Sequence, residues 1–378
     1  MRVLIAADIF PPESGGPATY AVQLANGLVA QCIEVVIVSL NSDPDRSVLD
    51  KKVKLFRVVT RFKLFRYAHF MVLLFWHAWK SDKIYAMGPV NAGLPAWIIA
   101  RLLNKKFVVK VVGDYAWEQG QVRGLVKDSV DEFQEKKYTG KIGRLKKIER
   151  EVVRNADCVI VPSKYLAAIV KGWGVSSEKI KVIYNAVKFQ AVDPVKKPSD
   201  ERWIVSVGRL VPWKGMQGLI EIMPEILEKH PNTRLKIIGD GPEMENLKSK
   251  IKDLHMETVV QLHGNLSRTE TLAHIHAADL FVLNSGYEGL SHVILEALGF
   301  NVPVLASASG GNDEIIISGK TGELFQYSDK GVILKQIIHF LGSGITNNPW
   351  SQLDRGEFFK RFEPSTMIEE TKKTLESV

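Results

Sequence analysis

The sequence predicts an α/β protein of two doubly wound halves, and three observations carry that expectation. Strand-like runs rich in Val and Ile alternate with helix-like runs along the chain. The strand runs have no polar face, as expected for strands covered on both sides of a parallel sheet. The alternation halts at a polar, Pro- and Lys-containing stretch, residues 186–200, and then restarts. A length of 378 residues suits two domains of ordinary size. The expected boundaries are 1–185 for the first, 186–358 for the second and 359–378 for a closing helical segment.

Each element has its own reason. Residues 2–7, apolar after Arg2, read as a buried first strand. A loop with Pro11, Pro12, Gly15, Gly16 and Pro17 separates it from a helix at 18–30. Strands follow at 33–40 and 53–60, a helix at 64–80, a strand at 83–87, a helix at 95–104 and a strand at 107–112. A helix at 142–155 leads to a strand at 158–162. Ser163 then has the side chain of an N-cap, and Gly172 and Gly174 supply the stop. A strand at 180–184 closes this half. The second half reads as strands at 203–207, 234–239, 259–262, 279–283 and 303–306, with helices at 215–229, 243–253, 268–276 and 291–299. A last helix is read at 359–375, with Pro364 at its start and Met367, Ile368, Thr371 and Leu375 on one face.

Composition narrows the function classes. Hydrophobic content of 46% with 24% charged residues is that of a soluble globular protein. Cys32 and Cys158 lie far apart in apolar sequence, so buried reduced thiols and a reducing cytoplasm are expected. The N-terminal apolar run is broken too early, by Asp8 and Pro11, for a signal peptide. The longest apolar stretch, Ala68 to Trp79, falls short of the roughly 20 residues a membrane span needs. The net charge of +8 admits nucleic acid, anionic lipid or a polyanionic substrate. No aromatic-interleaved RNA motif accompanies it, so nucleic acid is not expected. Asp43-Pro44-Asp45 has two carboxylates and no converging ligands, and reads as a turn; no metal site is expected.

Ligands of doubly wound folds bind beyond the carboxyl ends of strands, so the loops after strands are the candidate sites. After the first strand, Ser14-Gly15-Gly16-Pro17 opens a helix, where paired glycines let a phosphate approach the backbone or simply make a turn. After 203–207, Arg209 and Lys214 flank a turn that Gly215 ends. They suit a diphosphate, or are two solvated cations. After 107–112 comes Asp114, either a sugar contact or a helix N-cap. His263-Gly264-Asn265 can meet a nucleobase through its backbone, and Ser309-Gly310-Gly311 repeats the glycine pair. The densest signal is Glu288-Gly289-Leu290-Ser291 followed by Glu296: two acids around a helix start that should attract anions.

That ordered set, Arg209…Lys214-Gly215, Glu288-x7-Glu296 and Gly310-Gly311, resembles the family-4 retaining glycosyltransferases with the two-domain GT-B architecture, over essentially the whole chain. The resemblance implies transfer of a hexose-type sugar from a UDP-, GDP- or ADP-sugar to a glycan or lipid-linked acceptor. No further cofactor is implied. Arg209 and Lys214 would bind the diphosphate, Glu296 the ribose, Glu288 the sugar, and the Leu290 and Ser291 amides the phosphates. Gly15, Gly16, Gly264 and Gly311 would approach the ligand through backbone. Asp114 stands where many relatives carry histidine. The closing helix would return to the first domain. A nucleotide-sugar binder or a same-fold epimerase is the alternative. The aromatic and basic segment 61–80 reads either as a helix on an anionic membrane or as one packed on the sheet with a snorkelling basic end.

Overall fold

The computed structural model describes residues 1–13, 16–40, 46–58, 62–343 and 354–378. Ser14, Gly15 and Asp43-Pro44-Asp45 lie outside them. The chain divides into two compact units. One comprises Met1–Gly120, Val130–Ala186 and Lys360–Val378, and the other Gln121–Ser129 and Val187–Phe359.

The first unit is built on seven strands: β1 (Arg2–Ala7), β2 (Glu34–Ser39), β3 (Lys54–Arg57), β4 (Lys83–Met87), β5 (Lys106–Lys110), β6 (Cys158–Val161) and β7 (Ile180–Val182). All pair in parallel, in the order β3-β2-β1-β4-β5-β6-β7. Its helices are α1 (Gly16–Ala30), α2 (Lys63–Trp79), α3 (Gly93–Leu102), α4 (Tyr115–Val122), α5 (Val130–Glu135), α6 (Gly140–Arg154) and α7 (Lys164–Gly172). The Ser163 hydroxyl accepts the Leu166 N–H at 3.2 Å and so caps α7.

The second unit has strands β8 (Arg202–Val207), β9 (Thr233–Ile238), β10 (Val260–Leu262), β11 (Leu280–Leu283), β12 (Val304–Ser307) and β13 (Glu323–Phe325). They are parallel too, in the order β10-β9-β8-β11-β12-β13. Its helices are α8 (Met216–Glu221), α9 (Met223–Lys229), α10 (Met244–Asp253), α11 (Arg268–Ala277), α12 (His292–Gly299) and α13 (Lys330–Gly342). The chain ends in α14 (Arg355–Lys360) and α15 (Pro364–Ser377). Met367 and Leu375 of α15 enter the core of the first unit with Leu24 and Leu28 of α1. Gly27 makes that approach close, since a Cβ there would lie 2.1 Å from the Ile368 side chain.

Several expectations are corrected. The helix expected at 215–229 is two helices, because Pro224 lacks an N–H and crowds the preceding turn. The helix expected at 359–375 is likewise divided, with Pro364 starting α15. Cys32 is exposed, not buried, in a left-handed turn (φ 61°) after α1. Short elements without a clear period, α4, α5 and β13, were not foreseen, and neither was α13.

Candidate active site

In both sheets the strand order reverses beside the first strand, at β1/β4 and at β8/β11. Loops diverge there and leave a crevice at the carboxyl ends. In the second unit the β8 loop carries Arg209 and Lys214, and the β11 loop carries Glu288, Leu290 and Ser291. Tertiary structure brings the separate sequence motifs together at this point.

The joints are backbone contacts that only glycine permits. Gly215 adopts φ 59°, and a Cβ on it would stand 2.2 Å from the Asn284 carbonyl. Asn284 Nδ2 donates to the Gly215 carbonyl at 3.1 Å, and its Oδ1 accepts the Ser328 N–H at 3.2 Å. The Gly286 N–H donates to the Trp213 carbonyl at 2.6 Å. These bonds fix the β8 loop to the β11 loop. Gly310 adopts φ 64°, with room for no side chain, since a Cβ would fall 1.7 Å from the Glu288 carbonyl. The neighbouring Gly311 N–H donates to that carbonyl at 3.0 Å. Glycines predicted to meet a ligand thus also clamp the backbone of a site residue.

Lys214 Nζ lies 2.5 Å from Glu288 Oε1, with both side chains largely shielded. The sequence assigned these two residues separate tasks; the fold pairs them. Arg209 is exposed and has no side-chain partner among the described residues. Ser291 is the N-cap residue of α12 but makes no cap bond, and its buried Oγ has no hydrogen-bond partner among the described residues. An anion arriving at the first turn of α12 would meet the Leu290 and Ser291 amides, that hydroxyl and the two cations. Glu296 is buried one turn further on. Burial raises its pKa, and Arg268 opposes the rise through a 2.8 Å ion pair to Oε1. Arg268 was missed by sequence reasoning. Its signal was its place inside a capping box, between Ser267 and Glu270, as the first residue of the helix that follows β10. Gly264 is also left-handed (φ 66°), its Cβ direction is open, and its carbonyl accepts the Gly239 N–H at 2.8 Å.

The first unit is different. Gly16 is the exposed first residue of α1, and Gly15 lies outside the described residues. Of the two uses open to Asp114, the structure shows the cap. Its side chain is 1% exposed; Oδ1 accepts the Trp117 N–H and Oδ2 the Gln134 amide, both at 2.8 Å. Burial raises its pKa, as it does more strongly for Glu149, whose carboxylate accepts the Tyr115 and Ala116 N–H groups. At β1/β4 a polar cluster emerges that the sequence did not reveal. Asn91 Nδ2 donates to Asp8 Oδ2 at 3.3 Å, and the Tyr67 hydroxyl donates to Asn91 Oδ1 at 3.2 Å. The Tyr115 hydroxyl joins them at 3.2 Å. Among the described residues no group of three or more His, Cys, Asp or Glu side chains could hold a metal ion.

Two parallel sheets, one with cations and a helix start at its switch point, define the GT-B class of α/β proteins. Residues 14–190 match Glycosyltransferase Family 4 and residues 188–355 match Glycosyl transferases group 1. The chain belongs to this family of glycosyltransferases. It is 29% identical to a glycogen synthase of Mycobacterium tuberculosis over 65% of this chain and 56% of the relative. It is 36% identical to a GDP-mannose-dependent alpha-(1-6)-phosphatidylinositol monomannoside mannosyltransferase of Mycolicibacterium smegmatis, over 35% of this chain and 37% of that one. The chain therefore spans about half or less of the length of these curated relatives. Anabaena HepE, solved with UDP-glucose, has a similar fold, with a TM-score of 0.78, 20% identity and full coverage of both chains.

Proposed function

We propose that the protein is a retaining glycosyltransferase that moves a hexose-type sugar from a nucleoside diphosphate sugar to a glycan or lipid-linked acceptor. The observation that carries this reading is the convergence at β8/β11. Glu288 is clamped by Gly310 and Gly311 and paired with Lys214, beside the unsatisfied first turn of α12 and the unpartnered Arg209. In the reaction the sugar C1–O bond breaks and the diphosphate leaves with the electron pair. The acceptor oxygen forms the new C1–O bond on the same face, and its proton passes to the departing phosphate. Arg209 and Lys214 offset the growing negative charge, the work a divalent metal does at other phosphate sites. Glu288 stands at the electron-poor sugar, and Glu296 with Arg268 is placed to hold ribose hydroxyls. The two relatives, a glycogen synthase and a phosphatidylinositol monomannoside mannosyltransferase, support the same class of acceptor.

Thermal shift against UDP-, GDP- and ADP-sugars tests the donor site, and stabilisation by at least one of them is expected. No shift with any would overturn the site. Binding without sugar transfer to any glycan or lipid-linked acceptor would leave a nucleotide-sugar binder.

A further inference from the structure

Helix α2 has two faces of unusual contrast. Phe70, Leu74 and Ala78 point inward and are fully buried. At 3.6 residues per turn the opposite side gathers Phe62, Phe65, Val72, Trp76 and Trp79. The four aromatic rings of that group are 73%, 66%, 68% and 64% exposed. Leu102 is 69% exposed on α3, which packs along α2. A large aromatic side chain presents about 150–250 Å², so these rings alone expose on the order of 500 Å². That is as large as the largest apolar patch of an ordinary monomer.

The charge of the chain segment that carries this face is one-sided. Between Lys51 and Lys110 the sequence holds thirteen Lys and Arg residues and a single acid, Asp82. The stretch, at +12, exceeds the +8 of the whole chain, so the remainder is net acidic. Asp82 itself accepts the Arg2 N–H at 2.7 Å. Lys80 and Arg101 are exposed.

We propose that the outer face of α2 docks on an anionic lipid bilayer. Aromatic rings and Val72 enter the headgroup boundary while the surrounding cations meet lipid phosphates. A second copy of this chain is disfavoured as the occupant, since a two-fold contact would set exposed cations such as Lys80 and Arg101 against their own copies. Among the described residues no helix is long and apolar enough to span a membrane, so the contact is peripheral. Tyr67, on the inner side of α2, belongs to the Asp8–Asn91 cluster. A bilayer against the outer face therefore lies about one helix diameter, some 10–12 Å, from polar groups at the sheet's switch point. The proposal does not depend on the transferase reading.

The test is vesicle sedimentation of the purified full chain with phosphatidylcholine alone and with phosphatidylcholine–phosphatidylglycerol mixtures, at low and high salt. Binding to the mixed vesicles, weakened by salt and at least about tenfold weaker in W76S/W79S, is expected. Tryptophan fluorescence of the wild type is expected to be quenched by lipids brominated in their tails. The thermal midpoint of the double variant and its response to nucleotide sugars are expected to match the wild type, which excludes misfolding. Three results would overturn the proposal: no binding to the mixed vesicles, binding unchanged in the double variant, or a dimer in sedimentation velocity that the double variant dissociates. Equal binding to phosphatidylcholine alone would remove its electrostatic half. Loss of nucleotide-sugar response with vesicle binding intact would instead count against the transferase reading alone.

Discussion

The two sheets reverse their strand order at equivalent points, β1/β4 in one and β8/β11 in the other, yet the loops that rise there differ in kind. Those of the second unit present Arg209, Lys214 and a helix start, held by backbone contacts through Gly215 and Gly310. Those of the first present hydroxyl, amide and one carboxylate group from Tyr67, Tyr115, Asn91 and Asp8. The difference teaches that the topology specifies where a ligand sits and leaves its chemistry to loop side chains. A cationic crevice suits a diphosphate. A cluster of hydroxyl, amide and carboxylate groups suits an acceptor's hydroxyl groups.

The largest break in this contrast is expected from Arg209→Ala. The side chain is exposed and has no partner among the described residues, so the thermal midpoint should stay close to that of wild type. Sugar transfer should fall about 10²–10³-fold, the usual cost of removing a charge-stabilising donor. Unchanged turnover in initial-rate measurements would remove the diphosphate role from the β8 loop.

Gly310→Ala comes next. A left-handed backbone and a 1.7 Å clash with the Glu288 carbonyl should cost about 3 kcal/mol in denaturant unfolding. Nucleotide-sugar binding should be lost with it.

Lys110→Met probes the buried charge of the first unit. The amine is fully buried, donates to the Ile183 carbonyl at 3.2 Å and lies over the Tyr20 ring. Burial lowers its pKa to about 7. The unfolded chain therefore binds the extra proton between about pH 7 and 10.5, and stability rises with pH across that window. Below it the full penalty of burying the cation applies. The Met variant should be the more stable at pH 6, with its advantage shrinking as pH rises and reversed by pH 10, where the wild-type amine is neutral and keeps its hydrogen bond. A gap that widened with pH in unfolding titrations would reverse this account.

Asp8→Asn should leave nucleotide-sugar binding intact and lower transfer about tenfold, or about 1.4 kcal/mol, if the first unit's cluster meets the acceptor. The smallest effect is expected from Asp114→Asn. Asparagine keeps the cap on α4, so stability should stay within about 1 kcal/mol and turnover within about twofold. A large loss of turnover with intact folding would restore a direct sugar contact for Asp114.

Much of this was legible beforehand for a physical reason. Strands covered on both faces are written as unbroken Val and Ile runs, so the order of major elements could be read directly. Ser163 showed its cap and Pro364 its helix start by residue type, while Pro224 held a helix break that the broader periodicity concealed. Short elements such as α4, α5 and β13 have too few turns or alternations to set a period. The motif residues Arg209, Lys214, Glu288 and Glu296 stood out because charged groups at strand ends are unusual in a core-forming pattern.

By itself the sequence determined the α/β class, the linker near residue 186 and the residue types available for an anionic ligand, since periodicity and charge are local properties. Only the tertiary structure decided which of these groups meet. It paired Lys214 with Glu288 and Arg268 with Glu296, fixed the Glu288 carbonyl against Gly310 and Gly311, and buried Asp114 as a cap. Those outcomes depend on loops tens of residues apart being carried to one sheet edge by the strand order, and no local pattern records that distance.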